Sequence, residues 1–252
     1  MRRPSLADEL TPFEVFTGRE LTPGRPLVAR LIGRRFEAIL DGVGYAKPYD
    51  PAFGKCMVKT LSHLLTALGC SFGYVEQTEL SLFAISGGGD ARRLLSRIAG
   101  EGSAKLSILL GAVNTFEARL YELPDVTVAV DYFRWRQYET QLRAVDRYCL
   151  FMLGQSGTEA QGAERIIAGL GPDEKVELLR QNGLDFQAVP SWQRRGASVA
   201  LRAAADGASE TRARLVVDLN LPAEDDFSAY LGPLLGVAHS SIGPPNAADS
   251  LE

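Results

Sequence analysis

Gly73-Tyr74-Val75-Glu76-Gln77-Thr78-Glu79-Leu80-Ser81-Leu82-Phe83 is the stretch that decides the fold. Its side chains alternate, its middle is polar, and Leu80, Leu82 and Ile85 stand behind it. A period of two over so short a run predicts two strands joined by a tight polar turn. Counted straight through, the alternation puts Tyr74, Glu76 and Thr78 on one face and Val75, Gln77 and Glu79 on the other. Rigid strands fix where the side chains of a hairpin tip point, which suits metal or phosphate chemistry. The residues at this tip are Glu76-Gln77-Thr78-Glu79.

Outward from the hairpin, Leu27–Gly33 is an apolar, β-branched run ended by glycine, and predicts a buried first strand. Two prolines keep Tyr45–Pro51 out of a helix. Between Phe53 and Gly69, Met57, Leu61, Leu64, Leu65 and Leu68 recur at spacings of three and four, the pattern of an amphipathic helix capped by Gly69. After the hairpin, Ser86-Gly87-Gly88-Gly89-Asp90 leads into a helix from Ala91. This glycine run is either a phosphate cradle at a helix mouth or a flexible turn with Asp90 as N-cap; it lacks G-x-G-x-x-G spacing and a P-loop lysine. The helix is expected to break near Gly100–Gly102. A strand over Phe116–Leu123 and a long helix over Val128–Leu153 follow. Shorter helices at Thr158–Gly169 and Pro172–Asn182 come next, then late strands at Ala197–Ala204 and Arg212–Leu219. The order predicts an α+β fold, a split β-α-β antiparallel sheet with helices on one face. Residues 1–26 read as an arm with a short helix near Leu6–Phe16, 27–155 as the main domain, 156–239 as a C-terminal extension packed on it, and 240–252 as a disordered tail.

Composition narrows the class. The 252 residues are 46% hydrophobic and 23% charged, as in ordinary globular proteins. The net charge of −4 argues against bulk electrostatic coating of nucleic acid. Three cysteines without C-x-x-C spacing argue against a metal knuckle or disulfide framework, and fit a reducing cytoplasm. His63 and His239 stand too far apart for a histidine metal site or a catalytic triad. No signal-peptide-like or membrane-spanning run is present. The arginines do cluster: Arg30, Arg34 and Arg35; Arg92, Arg93 and Arg97; Arg134 and Arg136; Arg194, Arg195 and Arg202. They form either a local anion site or a scatter of solvated charges.

Several strings carry a resemblance: Leu27–Phe36, Tyr45–Asp50, Gly73–Phe83, Asp131-Tyr132-Phe133-Arg134-Trp135-Arg136-Gln137, Glu174-Lys175 and Pro190–Gly196. In order and spacing they resemble the histidine-tRNA guanylyltransferase family, in its bacterial guanylyltransferase-like branch, over about residues 6–200. The resemblance implies a polymerase- and cyclase-like palm and a reaction that adds nucleotides to the 5′ end of a tRNA. It also implies assembly as a homodimer or homotetramer. The implied chemistry is two-metal phosphoryl transfer, with Mg2+ bridging the oxygens of GTP or ATP and two aspartates holding the metals.

Those aspartates align with Ile32, beside Gly33, and with Thr78, preceded by Gln77. Glu79 is retained as a remnant of the catalytic triplet, and Glu76 is a candidate substitute. Isoleucine supplies no hard oxygen and threonine a weak neutral one, so no metal is expected. The long helix departs from the family too, with Glu139, Leu142-Arg143 and Asp146 where an acidic residue, an arginine–asparagine pair and a further asparagine are expected. Arg30, Arg34, Lys47, Arg92, Arg93 and Lys175 match basic family positions associated with phosphate or tRNA. Together with Gly33, Asp50 (which fixes the loop after Lys47), Gln77 and Thr78 they make up the expected nucleotide site. Arg134, Arg136 and Arg143 are assigned to RNA, and Trp135 and Trp192 to packing. Three functions stay open: an impaired relative binding a nucleoside triphosphate or an RNA 5′ end, a working nucleotidyltransferase with a rebuilt site, or an enzyme repurposed for a free nucleotide.

Overall fold

The computed structural model describes residues 18–203 and 213–236. The expected helix at Leu6–Phe16, the turn between the two late strands and the expected tail lie outside them. Two residues of β1 (Glu20–Leu21) open the described chain, followed by β2 (Pro26–Gly33), α1 (Phe36–Val43) and α2 (Pro51–Leu68). The hairpin is β3 (Phe72–Glu76) and β4 (Glu79–Ile85), and β5 (Gly89–Asp90) pairs with β1. Then come α3 (Ala91–Leu110), β6 (Phe116–Glu122), α4 (Val126–Gln155), α5 (Ala160–Ala168) and α6 (Pro172–Gln181). A short α7 (Ser191–Arg195), β7 (Ala197–Ala203), β8 (Ala213–Asp218) and α8 (Glu224–Gly236) complete it.

The main sheet has six strands in the order β6-β2-β4-β3-β7-β8, each pair antiparallel. β4 lies between β2 and β3, and β2 lies between β4 and β6. Each helical crossover is therefore split by one strand, which is the expected β-α-β-β-α-β core. The C-terminal strands β7 and β8 extend that core beyond β3. α2 and α3 share one face, where Met57, Leu61, Leu64, Ile98 and Leu106 pack on Leu31, Val75, Leu80 and Leu82. Helices on one face alone is too simple, however. α4 and α8 cover the other face, with Phe133, Phe227 and Leu231 against Val28, Phe72 and Phe83.

Local chemistry sets these elements. Asp50 caps α2 by accepting from the N–H groups of Ala52 and Phe53 at 2.7 and 3.1 Å, and it also holds the Ala46 N–H at 2.9 Å. Asp90 caps α3 through the Arg93 N–H at 2.9 Å, so the glycine run before it acts as a turn. The break expected near Gly102 does not occur, and α3 runs on unbroken. A Cβ on Gly102 would lie 2.7 Å from Leu31 Cδ2, so this glycine lets helix and sheet approach closely. The short α1 and the C-terminal α8 were not expected.

Candidate functional site

Ile32, Glu79 and Glu76 lie side by side across three strands, because Ile32 pairs with Glu79 and Glu79 with Glu76. Directly opposed residues of an antiparallel pair share a face. The straight count that separated Glu76 from Glu79 therefore fails, since the two-residue turn Gln77-Thr78 reverses the chain and brings both carboxylates to one side. The Thr78 carbonyl accepts from the Gly33 N–H at 3.0 Å and ties the tip to the end of β2.

That face looks at α4, and α4 answers with arginine. Arg136, Arg143 and Arg147 follow one another at intervals of seven and four, which puts them on one side of a helix. Arg30 joins them from β2. Glu79 Oε2 accepts from Arg30 Nε at 2.6 Å and from Arg136 Nη2 at 2.9 Å, and its Oε1 accepts from Arg143 at 2.7 Å. Glu76 accepts from Arg147 at 2.9 Å and from Arg143 at 3.2 Å. The two glutamates are 1% and 5% exposed and Arg136 is 0% exposed, so this is a buried ionic cluster of four guanidiniums and two carboxylates. Burial alone would raise the Glu79 pKa, but hydrogen bonds from Arg30 and Arg143 and the Arg136 charge hold it below the usual glutamate range. Burial works against the Arg147 charge, yet the Glu76 carboxylate raises its pKa above the usual arginine value. Over the cluster lies Trp135, with the Arg30 and Arg136 guanidinium carbons 5.5 and 5.3 Å from its ring centre.

Magnesium does not fit this arrangement. It requires several anionic or water oxygens in an octahedral shell. Here the carboxylate oxygens are spent on guanidinium donors, and the neighbour of Glu79 on β2 is a hydrocarbon.

A cleft opens beside the tip. It has a volume of about 270 Å³ and is lined by Lys47, Gln77, Thr78 and Arg147, with Tyr45 and Phe151 among its apolar walls. The loop carrying Lys47 is pinned by Asp50 and by Gln77 Nε2, which donates to the Pro48 carbonyl at 3.2 Å. Cationic side chains beside an apolar wall suit a ligand with an anionic end and a flat apolar body.

The other expected site residues divide. Arg34 is exposed and pairs with Glu117 at 3.0 Å. Lys175 is held by Asp146 at 2.7 Å. Arg92 and Arg93 begin α3, at the far end of β4 from the tip. Six strand steps separate those ends, about 20 Å at ~3.4 Å per residue, so the two arginines are not part of the cleft. Arg136 is closed to RNA by complete burial, whereas Arg134 and Arg143 reach partial exposure. Trp192 is packed, in edge contact with Tyr49, but Trp135 is 42% exposed and is no core residue. Arg147 was missed, although its spacing from Arg143 and Arg136 signalled a shared face.

A four-stranded split β-α-β core, extended on one edge and backed by a long helix, is a palm-like nucleotidyltransferase fold. Residues 8–124 match the model of the Thg1 family, tRNAHis guanylyltransferase. Among solved structures, a bacterial tRNA(His) guanylyltransferase (Thg1)-like protein in complex with GTP is 20% identical, with a TM-score of 0.72 over 92% of this chain and 99% of that one. A bacterial Thg1-like protein in complex with ATP gives 19% identity and a TM-score of 0.71 over the same shares. The tRNA(His) guanylyltransferase from Saccharomyces cerevisiae gives 18% identity and a TM-score of 0.66, over 76% of this chain and 91% of that one. No curated protein matches the sequence. Among the described residues, no helix is long and apolar enough to cross a membrane.

Proposed function

We propose that this chain is a degenerate relative of the tRNAHis guanylyltransferases. It holds a nucleoside triphosphate, or the triphosphate end of an RNA, in the cleft beside the hairpin tip and does not carry out two-metal nucleotidyl transfer. The observation that carries this reading is the occupation of Glu76 and Glu79 by Arg30, Arg136, Arg143 and Arg147. A triphosphate beside such a cluster meets fixed positive charge where the family's reaction needs metal, so binding without magnesium is expected. Lys47 and Arg147 are the residues assigned to phosphate, with Gln77 and Thr78 at the tip. The GTP- and ATP-bound relatives support the ligand class. The same reading includes cytoplasmic location, self-assembly into a homodimer or homotetramer, and residues 27–155 as the palm unit with 156–239 packed on it.

Calorimetric titration with GTP and with ATP, each in EDTA and in Mg2+, tests the proposal alongside pyrophosphate release in the presence of 5′-triphosphorylated RNA. Affinities for at least one nucleotide that agree within about threefold in the two buffers (~0.7 kcal/mol), with no pyrophosphate, are expected. Binding lost in EDTA, no binding of either nucleotide or of the RNA end, or magnesium-dependent pyrophosphate release overturns it.

A further inference from the structure

On the other side of the Tyr49–Asp50 segment lies a second cavity of about 280 Å³, between the start of α2 and strands β7 and β8. Its walls are largely apolar: Phe53, Val58, Val75, Trp192, Val217 and Leu219. Gly54 makes room for the Trp192 ring, which would lie 3.3 Å from a Cβ at that position, so the indole stands as a flat wall. Val217 and Leu219 are 45% and 46% exposed, which leaves apolar surface uncovered at the mouth among the described residues.

Three polar features distinguish the cavity from a packing fault. Lys55 and Lys59, one turn apart on α2, stand at its rim, exposed and with no ion pair among the described residues. Asp50 lines the same mouth, but its carboxylate is oriented by the N–H groups of Ala46, Ala52 and Phe53 and makes no ion pair with either lysine. Gln77 Oε1 is buried and has no hydrogen-bond partner, although the amide nitrogen of the same side chain is satisfied by Pro48. A buried acceptor without a donor costs free energy, which a ligand N–H or O–H would recover.

We infer that this cavity is a binding site for an amphipathic organic anion: an aromatic or branched apolar body against Trp192 and Val217, and a carboxylate, sulfonate or phosphate between Lys55 and Lys59. A hydrogen-bond donor on the body meets Gln77 Oε1. The inference does not depend on the nucleotide reading, because the lining shares only Gln77 with the cleft around Lys47 and Arg147.

The fluorescent probe 8-anilinonaphthalene-1-sulfonate has this chemistry, and neutral N-phenyl-1-naphthylamine lacks the charge. With the full chain at low salt, saturable binding of one sulfonate probe per chain is expected. Exchanging both lysines (Lys55→Gln with Lys59→Gln) weakens the sulfonate at least about tenfold, two unit charges being removed within a few ångströms of an anion, and leaves the neutral probe within about twofold. Val217→Trp, on the exposed edge strand, blocks both probes. Thermal melts of each variant confirm folding, and a variant that fails to fold is replaced by Leu219→Trp or by the single lysine exchanges. GTP does not displace the probe. Multiple unsaturable binding, insensitivity to both the lysine and the tryptophan exchanges, or competitive displacement by GTP overturns the inference.

Discussion

Replacing Glu79 with glutamine separates a structural ionic cluster from a metal site by the sign of its effect on stability. Glutamine keeps the shape of the side chain and removes the charge that accepts from Arg30 at 2.6 Å, Arg143 at 2.7 Å and Arg136 at 2.9 Å. Arg30 then loses the carboxylate it pairs with, and Arg136 is left with Glu76 at 3.8 Å. Breaking a buried ion pair by removing one partner costs about 3–5 kcal/mol, because the remaining charge is left desolvated. In a chain of this size 1 kcal/mol moves the melting temperature by about 2–4 °C. The expected fall is therefore roughly 6–20 °C by circular dichroism at neutral pH.

A metal site predicts the reverse. Without metal, two carboxylates held side by side repel, and neutralising one relieves that repulsion. Glu79→Gln would then melt at the same or a higher temperature in EDTA, and magnesium would raise the melting temperature of the unaltered chain by ligand linkage. Either result refutes the assignment of Glu76 and Glu79 to the arginines. A loss of stability that is the same in EDTA and in magnesium supports it.

Acid should remove the same contribution. Glu79 titrates below the usual glutamate range in the folded chain, since hydrogen bonds and charge from the arginines outweigh its burial. Its stabilisation is thus fully present above the ordinary glutamate pKa of about 4.3 and is lost as pH falls through the lower folded value. Melting curves of the parent and of Glu79→Gln should converge over that window; a constant gap contradicts the assignment. Lys47→Ala is expected to weaken GTP about three- to tenfold while moving the melting temperature by no more than about 2–4 °C, because its pair with Asp41 is exposed and worth at most ~1 kcal/mol. Unchanged GTP affinity would remove Lys47 from the site. Returning carboxylates at the two aligned positions, Ile32→Asp with Thr78→Asp, should not by itself create a magnesium site detectable by calorimetry. Adding Arg143→Asn and Arg147→Asn should; magnesium binding by the double variant alone would show that the arginines are no barrier.

The hairpin, the two crossover helices and the strand at Phe116 were legible because each is a short element with its own period and its own stop, such as Gly69 or Pro124. Their assembly into a split β-α-β order followed from the sequence of types. The site was less legible for a specific reason. Side-chain parity carries along one strand but not through a turn, so only the paired register reveals that Glu76 and Glu79 face the same way. Gly102 misled in a similar fashion: glycine within a helical run reads as a break, and only the sheet beneath it shows a contact too close for a Cβ. The basic residues posed the hardest case. Arg92 and Arg136 look equally suited to phosphate in sequence, yet one begins a helix at the far end of the sheet and the other is buried against a carboxylate.

These differences from the family pattern make physical sense as a set rather than singly. Glu76 and Glu79 are each nearly buried, and two buried carboxylates side by side must be neutralised by something. Metal ions do this in a two-metal palm; in this chain the four guanidiniums supply the compensating charge from within the protein. Once they do, a further aspartate at position 32 has no cation left to hold, and a hydrocarbon opposite Glu79 avoids another buried charge. The surplus points the same way. Four arginines against Glu76 and Glu79, with Glu139 3.9 Å from Arg143, leave one positive charge in surplus, and Arg147 carries the cluster to the wall of the cleft where Lys47 pairs with Asp41. A cluster built only for stability would gain from exact neutrality, whereas one that receives an anion needs charge left over. That surplus, with Arg147 reaching both Glu76 and the cleft, would tie the stability of the hairpin tip to the proposed binding of a phosphate beside it.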